Sequence, residues 1–556
     1  MQQLKRLASM RSNYIFLIIL LLLQFLLCLH FGNEKAGFHE DEIATYGLAN
    51  SPDGIWPTWG INQWRSGEEY KNSFLVNQNT RFSYTMVYEN QEKDVHPPLY
   101  YMIIHTISSF VPGVFSKWIG LIPNIAFSIL TTIVVWNISM KLIQSNIVAL
   151  ATAGFYAFSV GTFSTVTFIR MYAMMAFFCS LLVLIHVNLA CKLLCHKEIL
   201  KKDYIFLLLC TTAGILTQYY FMIFCFFLCG CFAIGLFLLK KWRQLFIYIG
   251  AEFGAILISL LIFPKMLYHC FEGYRGKEAL TNAAHSEQAI ESLKKVTSII
   301  SKQVSNGWLW ELGMLILGLL LLFLVNYFFL HIKVIFDSKD FRIFCNADIF
   351  LKRKITWIVS YKILIYLTFV LVIVGYLLLV SRIAPFQTDR YYMCLYPLIY
   401  IVIAHVFFFL IQHIFKHKAA VWILAAFLLV ICLAGHLQQN INYIYKNYEQ
   451  RKELYKYTEL PVIILNGTYN SYSGRWIYEY INNSAVFKTG GYCDLSTISD
   501  ALNNYDLSNG FLIYSCRMGM NENELFDEIN KYVHIDSHEQ IVWEEDPVYL
   551  CNINTQ

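Results

Sequence analysis

The residues best suited to chemistry stand close together near the start of the chain, in the run His39-Glu40-Asp41-Glu42. Three neighbouring carboxylates repel one another, which favours a bound cation, raised pKa values or a basic partner. Acidic residues are also common in the first turn of a helix, where they interact favourably with the helix dipole. The run is therefore either a functional group of acids or a solvated helix start.

A second candidate is the run Asp94-Val95-His96-Pro97-Pro98-Leu99-Tyr100-Tyr101. Prolines disrupt the interior of a helix but are well suited to its first turn. The two prolines would hold His96 just before the apolar segment 97–111. His96 is thus a candidate functional residue, and the alternative is that this run serves only as a helix cap.

Arginines interrupt or flank apolar segments at three positions. Arg170 lies inside the apolar run 163–178, where a charge is costly unless it is paired or reaches the membrane surface. Arg382 and Arg390 flank Pro385 between two apolar segments. The planar guanidinium fork suits phosphate or carboxylate, so the three arginines are candidates to bind an anion. The tyrosines beside them are also the residues expected at a membrane interface.

The composition shows what kind of elements must position these residues. Of the 556 residues, 57% are hydrophobic and only 15% are charged, and the mean hydropathy is +0.47. Soluble proteins are about one quarter charged, so most of this chain needs lipid as its solvent. The net charge is +5, but no long basic run with interleaved aromatic residues occurs. The sequence therefore predicts a membrane protein that does not bind nucleic acid.

Most of the cysteines fall inside apolar stretches. Cys225, Cys229 and Cys231 lie close together in one of them, but no histidine or carboxylate accompanies them in the sequence. We therefore interpret these thiols as small packing residues rather than as metal ligands.

The first apolar segment, 14–29, is uncharged and follows Lys5, Arg6 and Arg11. Its length favours a membrane anchor over a cleaved signal peptide, and the basic residues place the N-terminus in the cytoplasm. With this anchor, the sequence predicts about eleven transmembrane helices. The other ten are expected at 118–140, 146–164, 172–194, 204–221, 222–239, 244–263, 312–334, 358–383, 391–415 and 420–438.

The segment 97–111 is apolar but too short for a comfortable crossing. If it does not cross, the basic clusters 192–202, 240–243, 339–354 and 416–418 all lie in the cytoplasm, as the positive-inside rule requires. If it crosses, all of them lie outside. We therefore expect 97–111 to be a re-entrant or interfacial helix on the outer face.

Two regions are then extracytoplasmic. Within the membrane domain, 1–439, a large first loop covers 32–117, and the tail, 440–556, forms a small α/β domain. In the tail we expect strands at 461–465 and 510–514 and helices at 498–504 and 522–532, the last capped by Asn521. The turns around Arg170, Gln218 and 382–390 also face outward. Chemistry shared among these pieces has no access to cytoplasmic nucleotide sugars or ATP.

The order of these motifs resembles that of the GT-C glycosyltransferases, particularly the protein O-mannosyltransferase-like and aminoarabinose-transferase-like bacterial enzymes. An Asp-Glu pair after the first span is followed by His96-Pro97-Pro98-Leu99-Tyr100-Tyr101 and by Arg170-Met171-Tyr172-Ala173. Thr217-Gln218-Tyr219-Tyr220 is similar to a Thr-His-Tyr-Tyr element of that family, with glutamine in place of histidine. Asp389-Arg390-Tyr391-Tyr392 with Pro397 is similar to its Arg-Tyr…Pro element. The resemblance covers about residues 14–415.

The resemblance implies a multi-pass cell-membrane enzyme that takes a sugar from a polyprenyl-phosphate donor. The acceptor would be an extracytoplasmic glycan, lipid or protein. Asp41 matches the position of the catalytic carboxylate, which would act as general base in an inverting displacement, and Glu42 would tune it. Arg170, Arg382 and Arg390 would hold the donor phosphate. The substrate pocket would include His39, Glu40, His96, Tyr100, Tyr172, Gln218 and Tyr219.

A divalent cation is a further expectation at this site. Asp41, Glu42 and Glu40 offer hard oxygen ligands that suit Mg²⁺, Mn²⁺ or Ca²⁺. His39 and His96 would also admit Zn²⁺. Because some members of the family need no metal, the sequence leaves metal dependence open.

Two other functions remain possible from the sequence. A transporter or flippase would use ionisable residues within the spans, such as His186 and Glu252, but no internal repeat supports it. A polysaccharide polymerase or ligase would also have outward arginines, although such proteins usually place the main catalytic loop late in the chain. The position of the acidic run favours the glycosyltransferase.

Overall fold

The computed structural model describes residues 2–55, 59–284, 289–325, 345–349, 353–357, 361–414, 417–438, 440–469 and 472–553. The elements before the second span are α1 (Gln2–Glu34), α2 (Glu40–Asn50), β1 (Trp64–Ser66), α3 (Gly67–Phe74), α4 (Tyr84–Lys93) and α5 (Leu99–Phe110). The helices of the next part are α6 (Lys117–Ile143), α7 (Asn146–Ala157), α8 (Val160–Thr167), α9 (Tyr172–Leu194), α10 (Lys201–Ile215), α11 (Tyr220–Leu238), α12 (Trp242–Ile262), α13 (Met266–Phe271), α14 (Tyr274–Ala284), α15 (Ala289–Ser305) and α16 (Leu309–Val325).

The later elements complete the membrane domain and build the tail. They are a hairpin of β2 (Cys345–Ile349) and β3 (Arg353–Trp357), helices α17 (Tyr361–Ile383), α18 (Tyr396–Ile414), α19 (His417–Leu437), α20 (Ile477–Tyr480), α21 (Thr497–Asn503) and α22 (Glu522–Ile529), and strands β4 (Val462–Asn466), β5 (Ala485–Lys488), β6 (Phe511–Cys516), β7 (Ser537–Val542) and β8 (Val548–Asn552). Short 3₁₀ helices cover Asp389–Leu395, Lys446–Tyr457 and Tyr472–Trp476.

Among the described residues, eight helices are long and apolar enough to cross a membrane, or up to ten if each of two bent pairs is one span. The bent pairs are α7 with α8, at 49°, and α15 with α16, at 78°. The predicted fold class, a polytopic α-helical membrane protein with a small α/β domain, is thus confirmed. The second half of the predicted span 312–334 and most of the basic cluster 339–354 lie outside the described residues.

The predicted span 204–221 corresponds to α10, which has only 15 residues and falls short of the usual crossing length. Its two ends nevertheless lie at opposite ends of α9. Near its start, Asp203 accepts a hydrogen bond from Lys192 at 2.6 Å, and just past its end the carbonyl of Leu216 accepts one from the backbone of Leu99. The helix therefore packs along its neighbour, but it does not count among the eight to ten candidate spans of the described residues, and the number eleven stays a prediction.

The segment 97–111 forms α5, a helix of 12 residues that packs against α2 and α6. At 1.5 Å per residue it is about 18 Å long, too short to cross the hydrocarbon core. This agrees with the expectation of an interfacial helix.

The tail forms a six-stranded sheet in the order β1-β5-β4-β6-β8-β7. Strands β5, β4 and β6 are parallel, as expected for strands joined by helices. Strand β8 pairs antiparallel with β6, and β7 pairs antiparallel with β8. The predicted strands and helices of the tail all occur within a few residues of their expected bounds. The edge strand β1, however, comes from the first loop, so the sheet is built from both the first loop and the tail rather than from 440–556 alone.

Candidate active site

The start of α2 positions the acidic run. His39 is its N-cap: the ring Nδ1 accepts a hydrogen bond from the backbone N–H of Asp41 at 3.1 Å, and Glu42 accepts one from the backbone of His39 at 2.6 Å. This reciprocal arrangement satisfies two of the free N–H groups at the helix start. It also fixes the His39 tautomer, since the nitrogen that accepts cannot carry the proton.

Glu42 is fully buried and its carboxylate is surrounded by donors. Lys35 donates to one oxygen at 3.0 Å, and the backbone N–H of Ile169 donates to the other at 2.7 Å. Burial raises the pKa of Glu42 and lowers that of Lys35, while the attraction between the two groups opposes both changes. The carboxylate of Glu42 therefore joins the end of α1 to the turn before Arg170, and its predicted catalytic role beside Asp41 stays a prediction.

Asp41 points the other way and keeps 30% of its side chain exposed. Its carboxylate forms an ion pair with Arg390, which lies in the 3₁₀ helix Asp389–Leu395. The structure thus brings together two residues that are far apart in the chain, at the mouth of the helical bundle.

Arg170 is a second arginine near Asp41, and its guanidinium group is hydrogen-bonded to the first turn of α2. One of its Nη atoms donates to the carbonyl of Asp41 at 3.1 Å and to the hydroxyl of Thr45 at 3.0 Å. The other donates to Nε2 of His96 at 3.1 Å, and Nδ1 of His96 lies 2.6 Å from a carboxylate oxygen of Asp94. Since guanidinium nitrogens only donate, the His96 proton is on Nδ1, and the three residues form a chain Asp94–His96–Arg170.

The charges around Asp41 determine its pKa. Burial raises it, but the positive charges of Arg170 and Arg390 outweigh this effect and lower the pKa to about 2. The pKa of His39 is lowered to about 4, chiefly by burial, and burial also lowers the pKa of His96. At neutral pH Asp41 is therefore a carboxylate among neutral histidines and charged arginines.

Aromatic side chains line the region beside this cluster. Phe168 stacks on Tyr443 with 4.1 Å between ring centroids and on Tyr172 with 5.7 Å. Tyr172 contacts Tyr391 edge-to-face, and Tyr391 contacts Tyr220. These rings connect α9, α11, the 3₁₀ helix at Arg390 and the beginning of the tail, and they form an apolar wall next to the charged group.

The other predicted pocket residues have varied positions. Glu40 is exposed. Tyr100 is fully buried and donates to Asn124, whose amide holds the carbonyls of Val166 and Phe168, so it supports the Arg170 turn instead of facing a substrate. Gln218 is buried and accepts from the backbone of Tyr219.

Tyr219 lies within hydrogen-bonding distance of His269 Nδ1, at 2.9 Å, and His269 lies close to the carbonyl of Glu92. This contact joins the end of α4 to α13. Arg382 is exposed and donates to the carbonyl of Ala283 at 2.9 Å, so its hydrogen bond is to α14 rather than to the Asp41 cluster.

Sequence reasoning missed three residues of the site. Lys35 forms an ion pair with Glu42, and Asp94 accepts a hydrogen bond from His96; both stand within seven residues of their partners. Arg275 of α14 lies over the ring of Phe386, with 5.4 Å to its centroid, and pairs with Glu278. Asp94 adjoins a motif already singled out, whereas Arg275 carries no signal in the sequence.

The predicted divalent cation does not fit these side chains as they are arranged. Asp41 and Glu42 are already neutralised by Arg390 and Lys35, and the acceptor nitrogens of His39 and His96 are both in use. In the part of the chain that the structure describes, the one set of His, Cys, Asp or Glu groups close enough to share an ion lies elsewhere, within the membrane spans. The cation at Asp41 and Glu42 stays an untested prediction.

Long apolar helices, an acidic helix after the first of them, and the α/β sheet of the tail together form a fold that is known from solved membrane-protein structures. The chain is similar to the crystal structure of ArnT from Cupriavidus metallidurans in the apo state, an aminoarabinose transferase of the GT-C family, with a TM-score of 0.54 and 10% identity over 98% of both chains. It is also similar to ArnT from the same organism bound to undecaprenyl phosphate, with a TM-score of 0.51 and 9% identity over 98% of both chains.

These likenesses confirm the GT-C fold that the motifs predicted, and at this identity they show the fold alone. No protein-family model matches the sequence, and no curated protein matches it either. The function therefore has to be argued from the site.

Proposed function

We propose that this chain is a membrane glycosyltransferase that takes a sugar from a polyprenyl-phosphate donor and transfers it to an extracytoplasmic acceptor. The observation that carries the proposal is the ion pair between Asp41 and Arg390, set between Arg170 and an aromatic wall at the bundle mouth. A base and a cation side by side are what a displacement from a sugar phosphate requires. The same fold in ArnT has been crystallised with undecaprenyl phosphate bound.

The sidedness of the cluster supports a lipid-linked donor. The basic residues Lys192, Lys240, Lys241 and Arg243 lie at the ends of α9, α11 and α12 that are remote from Asp41. By the positive-inside rule those ends face the cytoplasm, so the N-terminus is cytoplasmic and both Asp41 and the tail are extracytoplasmic. A sugar carried on a polyprenyl phosphate in the outer leaflet reaches such a site, whereas a nucleotide sugar does not.

Asp41 is the proposed general base. In the free enzyme Arg390 and Arg170 keep its pKa near 2, where it is too weak a base to be effective at neutral pH. If Arg390 turns from Asp41 to the donor phosphate, the carboxylate loses a positive neighbour and becomes more basic. Donor binding would thereby activate the base, and Arg390 would stabilise the phosphate as it leaves.

The remaining charged groups hold this arrangement in place. Asp94 and His96 orient Arg170 through a chain of hydrogen bonds. Arg170 in turn donates to the carbonyl of Asp41 and the hydroxyl of Thr45 in the first turns of α2. Arg275, half-buried beside Phe386, is a further candidate for the donor phosphate. Arg382 is the weakest of the predicted phosphate ligands, since it is exposed and directed to Ala283.

The proposal is tested with the purified full-length protein and synthetic polyprenyl-phosphate donors. Incubation with a monosaccharide-linked donor and envelope extract should give a labelled product, and its anomeric configuration should be opposite to that of the donor. Use of only an oligosaccharide-linked donor would instead identify a polymerase or ligase, and failure with every lipid-linked sugar would refute the proposal. Mass spectrometry of envelope glycans after gene disruption would name the hexose or pentose and its glycan, lipid or protein acceptor.

A further inference from the structure

The membrane spans contain a cluster of metal-ligating side chains that lies apart from the active site. His186 of α9, Cys229 of α11 and Glu252 of α12 place one ligand atom each within 4.8 Å of one another. Cys225, one helical turn before Cys229, lies beside this group: its sulfur is 3.4 Å from that of Cys229 and 3.8 Å from a carboxylate oxygen of Glu252. This cluster is not visible in the sequence, because the histidine and the carboxylate come from other helices than the cysteines.

The distances match the edges of a tetrahedral site. Zn²⁺ binds sulfur at about 2.3 Å and nitrogen or oxygen at about 2.0–2.2 Å, so the corners of its tetrahedron lie about 3.3–3.8 Å apart. Cys229 Sγ is 3.8 Å from His186 Nε2 and 3.5 Å from Glu252 Oε1. Cys225 Sγ lies at similar distances from Cys229 Sγ and from the other carboxylate oxygen, Glu252 Oε2.

The histidine is oriented as a ligand. Its Nδ1 lies 2.8 Å from the backbone carbonyl of Leu182, which can only accept, so the proton is on Nδ1 and the lone pair on Nε2 faces the thiols. A backbone carbonyl behind the ring is the usual way in which a metal-binding histidine is held. The hydroxyl of Tyr248 donates to Nε2 at 2.8 Å, and an incoming metal would take its place.

The position of Glu252 also needs an explanation. It lies ten residues from the start of a 21-residue span, and carboxylates at this depth are rare and usually functional. The described residues supply no Lys or Arg ion pair for it. A metal ion bound here would place positive charge directly beside this carboxylate.

We propose that His186, Cys225, Cys229 and Glu252 form a tetrahedral site for Zn²⁺ within the membrane domain. On binding, each thiol loses its proton to solvent as its sulfur–zinc bond forms, while the imidazole and the carboxylate bind through lone pairs. The ion joins α9, α11 and α12 at mid-depth. Since α11 begins at Tyr220, which packs on Tyr391, the site would fix one wall of the region around Arg390.

The test uses full-length protein in detergent, reduced and stripped of metal by a chelator. It is titrated with Zn²⁺ against a chromophoric chelator, and with Cd²⁺ while the ultraviolet sulfur-to-cadmium charge-transfer absorption is recorded. We expect one tightly held Zn²⁺ and a charge-transfer band that saturates at one Cd²⁺. Absence of that band in the wild type would overturn the proposal without any variant.

Matched variants locate the site. Cys225→Ser with Cys229→Ser should lose the band and weaken Zn²⁺ binding at least 100-fold, whereas Cys231→Ser, on the same helix but outside the cluster, should retain both. Glu252→Gln should keep the band but bind Zn²⁺ more weakly. Equal Zn²⁺ affinity in the double variant and the wild type would refute the assignment, and none of these measurements depends on glycosyl transfer.

Discussion

Arg390 donates a hydrogen bond to the carboxylate of Asp41 although 349 residues separate them in the chain. The pair joins the first outer helix to the turn that precedes α18. The arginine is the more buried partner, while 30% of the aspartate side chain is exposed. On the proposed function, the donor phosphate would compete for Arg390 while Asp41 remained accessible to the acceptor.

Replacement of Asp41 by asparagine should abolish most of the sugar transfer. Loss of a general base lowers rates by about 10²- to 10⁴-fold, and asparagine keeps the shape of the side chain while removing its basicity. Initial rates with a polyprenyl-phosphate sugar would measure the effect. The adjacent exposed acid supplies the control, since Glu40→Gln should leave the rate within a few-fold of wild type. A fully active Asp41→Asn enzyme would exclude Asp41 from the reaction.

The arginines on either side of Pro385 should behave differently. Arg390→Gln removes the cation expected to stabilise the leaving phosphate, an effect of about 10²- to 10³-fold on turnover. Arg382→Gln removes an exposed side chain that is bonded to Ala283, and its effect should be small. Rates at saturating and limiting donor would separate turnover from binding. Similar losses in both variants would contradict this assignment of the phosphate ligand.

Glu42→Gln should act on stability. Lys35 and Glu42 both have fully buried side chains. Removal of one charge leaves the other unpaired in the interior, which lowers the free energy of unfolding by about 3–5 kcal/mol. Thermal unfolding of the purified protein should therefore shift clearly to lower temperature. Glu68→Gln removes a largely exposed carboxylate from the same loop and should cause little change. Unchanged unfolding of Glu42→Gln would show that the buried pair does not stabilise the fold.

Acidification should weaken the fold through His39. The pKa of His39 is about 4 in the folded chain and 6.5 in the unfolded chain. As the pH falls below 6.5, the imidazole is therefore protonated in the unfolded state before it is protonated in the folded state. The stabilisation is complete above pH 6.5 and is lost as the pH falls to about 4. His39→Asn keeps an N-cap acceptor but removes the titration, so its unfolding temperature should vary less between pH 7 and pH 5. If the unfolding temperature of His39→Asn varied with pH as much as that of the wild type, His39 would not be the titrating group. His96 also has a lowered pKa and accounts for part of the pH dependence that remains.

Several features of the fold follow directly from local sequence. Helix α22 begins where predicted because Asn521 and Glu524 form a reciprocal cap. Strands β4 and β6 are continuous apolar runs, which is the pattern of strands buried on both faces. The run at His39 starts a helix, as acidic residues in a first turn suggested, and it also places the carboxylate of Asp41 beside Arg390.

The unpredicted features depend on contacts between distant segments. Strand β1 has only three residues and no strand pattern, and it exists because β5 offers an edge beside it. From the sequence alone Glu42 is predicted to be a second catalytic acid. Its buried ion pair with Lys35 depends on where the end of α1 lies, which the local sequence does not show. His186 and Glu252 look like isolated polar residues in separate spans until three helices pack together.

The strand borrowed from the first loop has a practical consequence for anyone who wishes to study the tail by itself. A fragment that begins at residue 440 would leave β5 with an unpaired edge, and exposed edges recruit strands from other molecules and promote aggregation. It would also lose Trp64, whose indole donates to Ala501 and stacks on Tyr505. A well-behaved soluble version therefore needs the peptide around Trp64–Ser66 fused or supplied in trans.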